Sequence, residues 1–195
     1  MRIACIGGGP AGLYFSISMK LLDPSCEVVV LERNKADDTF GWGVVLSDET
    51  LENLHANDPI SAASIRKNFA YWDDIALHFR GERLVSTGHG FCGIGRKKLL
   101  MLLQERAHSL GVDLRYETEV ESAEAYRGEY DVVVANDGLN SKTRMLYKDT
   151  FKPAVDERLC QFVWLGTHQT FKDAFTFIFE ETKHGWVWVH AYQFD

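Results

Sequence analysis

The chain has 195 residues, with 21 Lys and Arg against 28 Asp and Glu, a formal charge of −7. Its apolar fraction of 46% fills one sizeable core and excludes disordered or collagen-like sequence. The acidic balance, with no basic stripe, argues against nucleic acid or an anionic membrane as partner. No apolar run reaches the roughly 18 residues that span a bilayer.

Residues 2–6 form a short apolar run bounded by glycines, the pattern of a buried parallel strand. Residues 11–22 then carry Leu13, Phe15, Ile17, Met19, Leu21 and Leu22 at helical spacing, and Pro24 ends that helix. Val28-Val29-Val30-Leu31 is a second buried strand, so the first 32 residues read as a βαβ unit with a right-handed crossover. Residues 34–47 are irregular around Gly41-Trp42-Gly43, and 49–67 are helical with a break near Pro59. Residues 75–79 and 83–86 alternate about Gly81-Glu82 as a hairpin would.

Residues 96–110 make the clearest helix, with Leu99, Leu100, Leu102, Leu103, Ala107 and Leu110 apolar and Gly111 as its stop. Strands are expected over 112–118 and 130–135, the second running into the turn Asn136-Asp137-Gly138. From about residue 153 the composition shifts, and 162–170, 175–181 and 186–194 read as aromatic-rich antiparallel strands. Phe175, Phe177 and Phe179 share a face there, as sheet core or in part as the wall of an aromatic pocket. The chain ends just after an aromatic strand, and reads as the N-terminal part of a longer protein. The four cysteines include no CxxC, and the start is too short for a signal peptide, which points to a reduced, cytoplasmic protein. The histidines show no metal-ligand spacing, and no metal site is expected.

Gly7-Gly8-Gly9-Pro10-Ala11-Gly12 is a GxGxxG loop between strand and helix. Gly7 permits the tight turn, Gly9 lets backbone approach a pyrophosphate, and Gly12 allows close helix–strand packing. Pro10 and Ala11 open the helix whose N-terminus attracts the anion. Glu32 ends the next strand 20 residues past Gly12, where a carboxylate accepts ribose hydroxyls. Together these point to an adenine dinucleotide rather than an ordinary glycine turn, without choosing between FAD and NAD. Asp137-Gly138-Leu139-Asn140-Ser141-Lys142-Thr143-Arg144 is either an anion-facing constellation or a solvated helix start; the residue types alone do not decide. No Ser-His-Asp set, paired acid/base carboxylates or thiolate site is evident, so no catalytic residue is named. That absence fits a reaction whose hard step belongs to a cofactor.

The DGxxSxxR pattern of Asp137, Gly138, Ser141 and Arg144 after a Val-Val-Val-Ala strand resembles the second fingerprint of the para-hydroxybenzoate hydroxylase family of flavoprotein aromatic hydroxylases. That segment lies by the FAD pyrophosphate and takes part in pyridine-nucleotide binding in the family. Glu32-Arg33 resembles its acid-plus-arginine pair, and Arg96-Lys97-Lys98-Leu99 its RxxL helix start, whose arginine reaches FAD. Val120, after Glu119, falls where backbone contacts adenine. The segment from Phe40 to Asp48 is similar to the N-terminal hydroxylase portions of salicylyl-CoA 5-hydroxylases and anthraniloyl-CoA monooxygenases, and to the tryptophan hydroxylases of violacein synthesis. By that resemblance Gly43 and Val44 approach the flavin ring edge and Trp42 shapes the pocket. Gly41-Trp42 stands where the wider family often has an arginine.

The resemblance implies an α/β fold: a Rossmann-like FAD/NAD(P)-binding domain on a parallel sheet over residues 1–152, then over 153–195 the beginning of an antiparallel substrate-binding sheet. It implies an FAD-dependent monooxygenase that uses NAD(P)H and O₂, through a C4a-hydroperoxyflavin, to hydroxylate a small aromatic substrate, with a CoA thioester among the candidates. No counterpart of the family's C-terminal Gly-Asp stretch is visible after residue 150, so weakened FAD binding and lost turnover are expected of these residues alone. A non-catalytic FAD-binding fragment and an NAD(P)H-dependent flavin oxidoreductase without oxygen insertion remain the alternatives.

Overall fold

The computed structural model describes residues 1–171 and 173–194; Lys172 and Asp195 lie outside them. In chain order, β1 (Arg2–Ile6), α1 (Pro10–Leu22) and β2 (Glu27–Leu31) form the expected βαβ unit. They are followed by β3 (Gly43–Ser47), α2 (Asp48–Asn57), α3 (Pro59–Arg66), β4 (Ala70–Trp72), β5 (Ile75–Phe79), β6 (Glu82–Ser86) and β7 (Phe91–Gly95). Next come α4 (Arg96–Ser109), β8 (Asp113–Arg115), β9 (Val132–Ala135), α5 (Lys142–Leu146) and α6 (Lys148–Phe151). The hairpin of β10 (Phe175–Thr182) and β11 (Gly185–Ala191) closes the series. The helix break at Pro59 has a local cause. Asp58 is the N-cap of α3, accepting from the Ile60 amide at 3.3 Å and the Ser61 hydroxyl at 2.6 Å, with Pro59 at the first helical position.

Two compact units emerge, each discontinuous in sequence. The first takes Met1–Thr39 and Leu99–Val163, so the expected boundary after residue 152 falls inside its second segment. Its sheet has the order β8-β2-β1-β9, all parallel. The apolar runs of β1 and β2 are buried on both faces, as parallel strands covered on two sides must be. On one face Ile3, Cys5, Val28 and Val30 are buried, as are Leu13, Ser16 and Ile17 of α1. The buried Ser16 hydroxyl is satisfied within the helix, donating to the Gly12 carbonyl at 2.7 Å. On the other face Ala4, Val29 and Leu31 form a cluster covered by Val120, Tyr126 and Tyr130.

The second unit takes Phe40–Lys98 and the segment from Trp164 onward. It holds an antiparallel sheet, β3-β7-β4, and a four-stranded sheet, β11-β10-β5-β6. The hairpins β5–β6 and β10–β11 are antiparallel, while β10 runs parallel to β5, with Phe175 opposite Ile75 and Phe179 opposite Phe79. Two expectations are corrected. Residues 162–170 are not a strand: they lie exposed, with no partner strand to take their backbone groups. Part of the stretch read as irregular is β3, whose partner β7 lies about fifty residues away and leaves no local signal. Among the described residues no helix is long and apolar enough to cross a membrane.

Cys5, Cys26 and Cys92 are buried, whereas Cys160 is exposed. Burial pushes the Cys5 thiol up and the Cys92 thiol up to about 11, so neither offers a thiolate near neutral pH. A thiol reagent is therefore expected to titrate one cysteine of the native protein and all four after denaturation. Rapid modification of a second native thiol counts against this packing.

Candidate cofactor site

Because the strands of the first unit are parallel, β1, β2 and β9 deliver their carboxyl ends to the same edge of the sheet, where open α/β sheets bind ligands. The glycine loop leaves β1 there. Gly7 has φ of 103°, a conformation that favours glycine, and donates its amide to the Leu31 carbonyl at 2.8 Å. A Cβ on Gly12 would collide with the Gly7 carbonyl oxygen, so α1 can seat against its own strand only with glycine at that position. Gly9 is the opposite case. A Cβ there would meet nothing within 4 Å, so the loop is open at the residue expected to face a diphosphate.

Gly9 caps α1 without any side-chain hydrogen bond, and Pro10 has no amide to offer. The Leu13 amide bonds back to the Gly9 carbonyl at 3.0 Å, which leaves the Ala11 and Gly12 amides as the open donors of the first turn. Glu32 holds the loop from the neighbouring strand. Its Oε2 accepts the Gly8 amide at 2.7 Å and its Oε1 the Asn34 amide at 2.8 Å. Each oxygen keeps a second lone pair, so the carboxylate can still accept a ribose hydroxyl. Gly8 is a requirement the motif reading missed, since a Cβ there would stand 2.9 Å from the Glu32 Cβ.

The segment 117–121 is tied to β2 and its exit: the Thr118 amide donates to the Glu32 carbonyl at 2.8 Å and the Glu117 amide to the Asn34 carbonyl at 3.1 Å. Val120 packs its side chain on the Ala4–Val29–Leu31 cluster. Lys142 joins this segment to α5, reaching Glu119 at 2.8 Å and Glu121 at 3.0 Å. That lysine, with exposed Arg33 as a smaller contribution, holds the Glu119 carboxyl below its ordinary value.

After β9 the DGxxSxxR residues fold onto one another. Asp137 Oδ1 accepts the Ser141 hydroxyl at 2.6 Å and Oδ2 the Thr143 amide at 3.1 Å, while Ser141 caps α5 by accepting the Arg144 amide at 2.9 Å. Gly138, with φ of 78°, turns the chain between them. Arg144 donates to the Leu139 carbonyl, and its Nε is buried without a partner. The constellation is therefore a self-braced turn that opens α5. Asn136, read from sequence only as part of a turn, lies behind the glycines: a Cβ on Gly7 would collide with its carbonyl, and its own Nδ2 is buried and unpartnered. The signal was the strand register, which sets Ala135 beside Ile6.

A diphosphate-bearing dinucleotide fits this edge. The Gly9 space, two open amides and the unpartnered Arg144 Nε are donors and room for an anion, and Glu32 is an acceptor for a sugar. A cavity of about 670 Å³ beside β9, lined in part by Tyr130, Val133, Tyr147 and Phe151, includes none of the expected site residues.

Gly43, Val44 and Arg96 belong to the second unit. Gly43 pairs with Gly95, and the Arg96 amide donates to the Trp42 carbonyl at 2.9 Å. The space a Cβ on Gly43 would need is taken by Phe194, at 2.7 Å, and Tyr192, at 3.0 Å, so packing within the unit already requires glycine there. Gly41 lies under the Trp164 ring in the same way, and Trp42 lies against Gly166.

Comparison with known proteins is decided over nearly the whole length, because the model of the FAD binding domain family matches residues 1–194. The chain belongs to that family. It is 44% identical over 192 residues to a salicyloyl-CoA 5-hydroxylase of a Streptomyces species, covering 98% of this chain and 37% of that protein. It is 33% identical over 199 residues to a protodeoxyviolaceinate monooxygenase of Chromobacterium violaceum, covering 100% of this chain and 52% of the relative. The chain thus spans about half, or less, of the length of these relatives. Among solved structures, 2-methyl-3-hydroxypyridine-5-carboxylic acid oxygenase matches with a TM-score of 0.65 at 24% identity, over 74% of this chain and 41% of that one. The fold is that of FAD-dependent hydroxylase structures, here with a parallel, an antiparallel and a mixed sheet.

Two predictions follow from the geometry of the first unit. Gly9→Ala is expected to keep unfolding free energy within about 1 kcal/mol of wild type yet weaken FAD binding on the order of tenfold. Gly12→Ala is expected to cost more than about 2 kcal/mol in urea unfolding, because backbone must move. Wild-type FAD affinity in Gly9→Ala would place the diphosphate elsewhere.

The second concerns acid. Burial pushes the Asp137 carboxyl up, but the bonds from Ser141 and Thr143 outweigh it and hold it below its ordinary value. Its stabilisation is present at neutral pH and fades as the pH falls below about 4 through the folded-state value. Asp137→Asn should therefore be less stable than wild type at pH 7 by about 1–2 kcal/mol, with the gap closing in acid. A gap independent of pH refutes the assignment.

Proposed function

We propose that this chain supplies the FAD-binding portion of a flavin-dependent monooxygenase that hydroxylates a small aromatic substrate carried as a CoA or carrier-protein thioester. NAD(P)H is the reductant and O₂ the oxygen source. The observation that carries the reading is 44% identity to a salicyloyl-CoA 5-hydroxylase over 98% of the chain. A relative named for a 3-hydroxy-4-methyl-anthranilyl-[aryl-carrier protein] substrate, 29% identical over 195 residues, supports the tethered-aromatic class.

Bound FAD supplies the redox chemistry, accepting hydride equivalents and activating oxygen. The chain's residues bind and orient it. The Ala11 and Gly12 amides and the dipole of α1 hold the diphosphate at the Gly9 opening, Glu32 accepts from the adenosine ribose, and the backbone at Val120 meets adenine. Arg33, Arg96 and Arg144 supply positive charge toward the phosphates, with Asp137, Gly138 and Ser141 shaping the turn that carries Arg144. Gly43 and Val44 present backbone to the flavin ring. The rings of Phe175, Phe177, Trp188 and His190 pack against one another on the β10–β11 hairpin, and desolvation lowers the His190 pKa.

The test uses the protein that carries this chain. It is expected to copurify with or take up FAD, and to oxidise NAD(P)H faster when salicyloyl-CoA or a related aryl thioester is added, yielding a product heavier by one oxygen atom. NAD(P)H oxidation that no aryl thioester stimulates, with no oxygenated product, overturns the monooxygenase reading in favour of a reductase.

A further inference from the structure

In an antiparallel ladder, hydrogen-bonded and non-hydrogen-bonded pairs alternate along the strands. The Arg96 amide bonds to the Trp42 carbonyl, so the next pair, Gly43 with Gly95, is of the non-bonded kind. The N–H and C=O of Gly43 therefore point away from β7, and β3 is an edge strand with no further neighbour in its sheet. Gly43 is nevertheless buried, and a buried carbonyl must find a donor. It finds one 149 residues along the chain, in the Tyr192 hydroxyl, at 3.0 Å. The Tyr192 ring is fixed in turn by Phe175, edge-on with centroids 5.5 Å apart, and by Trp72 at 6.3 Å. Burial raises the pKa of its phenol, so it stays protonated and able to donate.

We infer that Tyr192 is a positioning residue: its hydroxyl holds the outward-facing Gly43 carbonyl at the free edge of β3, the backbone assigned above to the flavin ring. A peptide is planar and trans, so the Val44 amide at its other side points into the ladder toward Ile94, and the Tyr192 hydroxyl holds the side that the ladder leaves unpaired. The glycine at 43 is explained by the same contact, since Tyr192 and Phe194 occupy the space of a Cβ. This inference rests on the FAD reading for its consequence but not for its geometry.

Tyr192→Phe keeps the ring and removes only the hydroxyl. Hydrogen exchange over residues 41–47 without ligand is compared in the two proteins, followed by FAD titration read by absorbance and visible circular dichroism. The variant is expected to exchange about fivefold faster at 41–47, bind FAD weaker by a similar factor, and give bound flavin an altered visible dichroism. Unchanged exchange at 41–47 overturns the inference. Faster exchange with wild-type affinity and dichroism also overturns it, reducing Tyr192 to ordinary packing. A wild-type chain that takes up no FAD removes the flavin reading instead, and the exchange result alone then decides whether Tyr192 holds the peptide.

Discussion

No side chain larger than hydrogen can stand at residue 12, because α1 rests directly on the Gly7 carbonyl. That backbone-on-backbone contact governs the first unit. It fixes where α1 begins relative to the end of β1, and so aims the uncapped first turn at the carboxyl edge of the parallel sheet. The neighbouring contacts reinforce it: Gly7 is pinned between the Leu31 carbonyl and Asn136, and Gly8 is held by Glu32. Three adjacent strands thus converge on six residues. Apart from the Glu32 carboxylate, these contacts are with backbone, so most of the loop geometry is insensitive to rotamer changes.

Legibility from sequence followed the range of the interactions. The βαβ unit was readable because its pattern is local: a five-residue apolar run, glycines, a helical period, and another β-branched run. The break at Pro59 and the α4 stop at Gly111 are likewise written in consecutive residues. What escaped was set by pairing at a distance. β7 (Phe91–Gly95) is short and holds two glycines, so nothing in its own composition marks it as the central strand between β3 and β4. The parallel pairing of β10 with β5 joins residues a hundred positions apart, and the antiparallel reading, right for β10 with β11, did not reach it. The stretch 162–170 has the same aromatic character but no partner strand, and composition alone could not tell it from its neighbours.

The glycines and aromatics of the second unit show how one pattern can answer two demands. Gly41, Gly43 and Gly166 suggest open space or close approach by a ligand. In the structure each is matched to a ring or side chain of the same unit: Trp164 on Gly41, Phe194 and Tyr192 on Gly43, Trp42 on Gly166. The loop around Trp42 is therefore fixed by interdigitation with the 164–166 and 192–194 segments before any cofactor is considered. A preordered edge of this kind costs less to bind against than a loop that must order on binding.

The charge balance completes the argument. A chain of net charge −7 is an unpromising host for a diphosphate, and the cationic side chains near the edge are largely committed elsewhere. Lys142 is shared by Glu119 and Glu121, Arg144 donates to the Leu139 carbonyl, and Arg33 stands near Glu119. Besides the arginines proposed above, the open amides at the start of α1 carry partial positive charge, and one guanidinium nitrogen is unpartnered. Those groups are fixed in direction and already partly dehydrated, so they lose little entropy or solvation on meeting an anion, whereas an exposed lysine loses both. Acidic side chains around the edge then act on selection. Under the proposed function they repel stray polyanions and, at Glu32, favour a free ribose hydroxyl over a further phosphate.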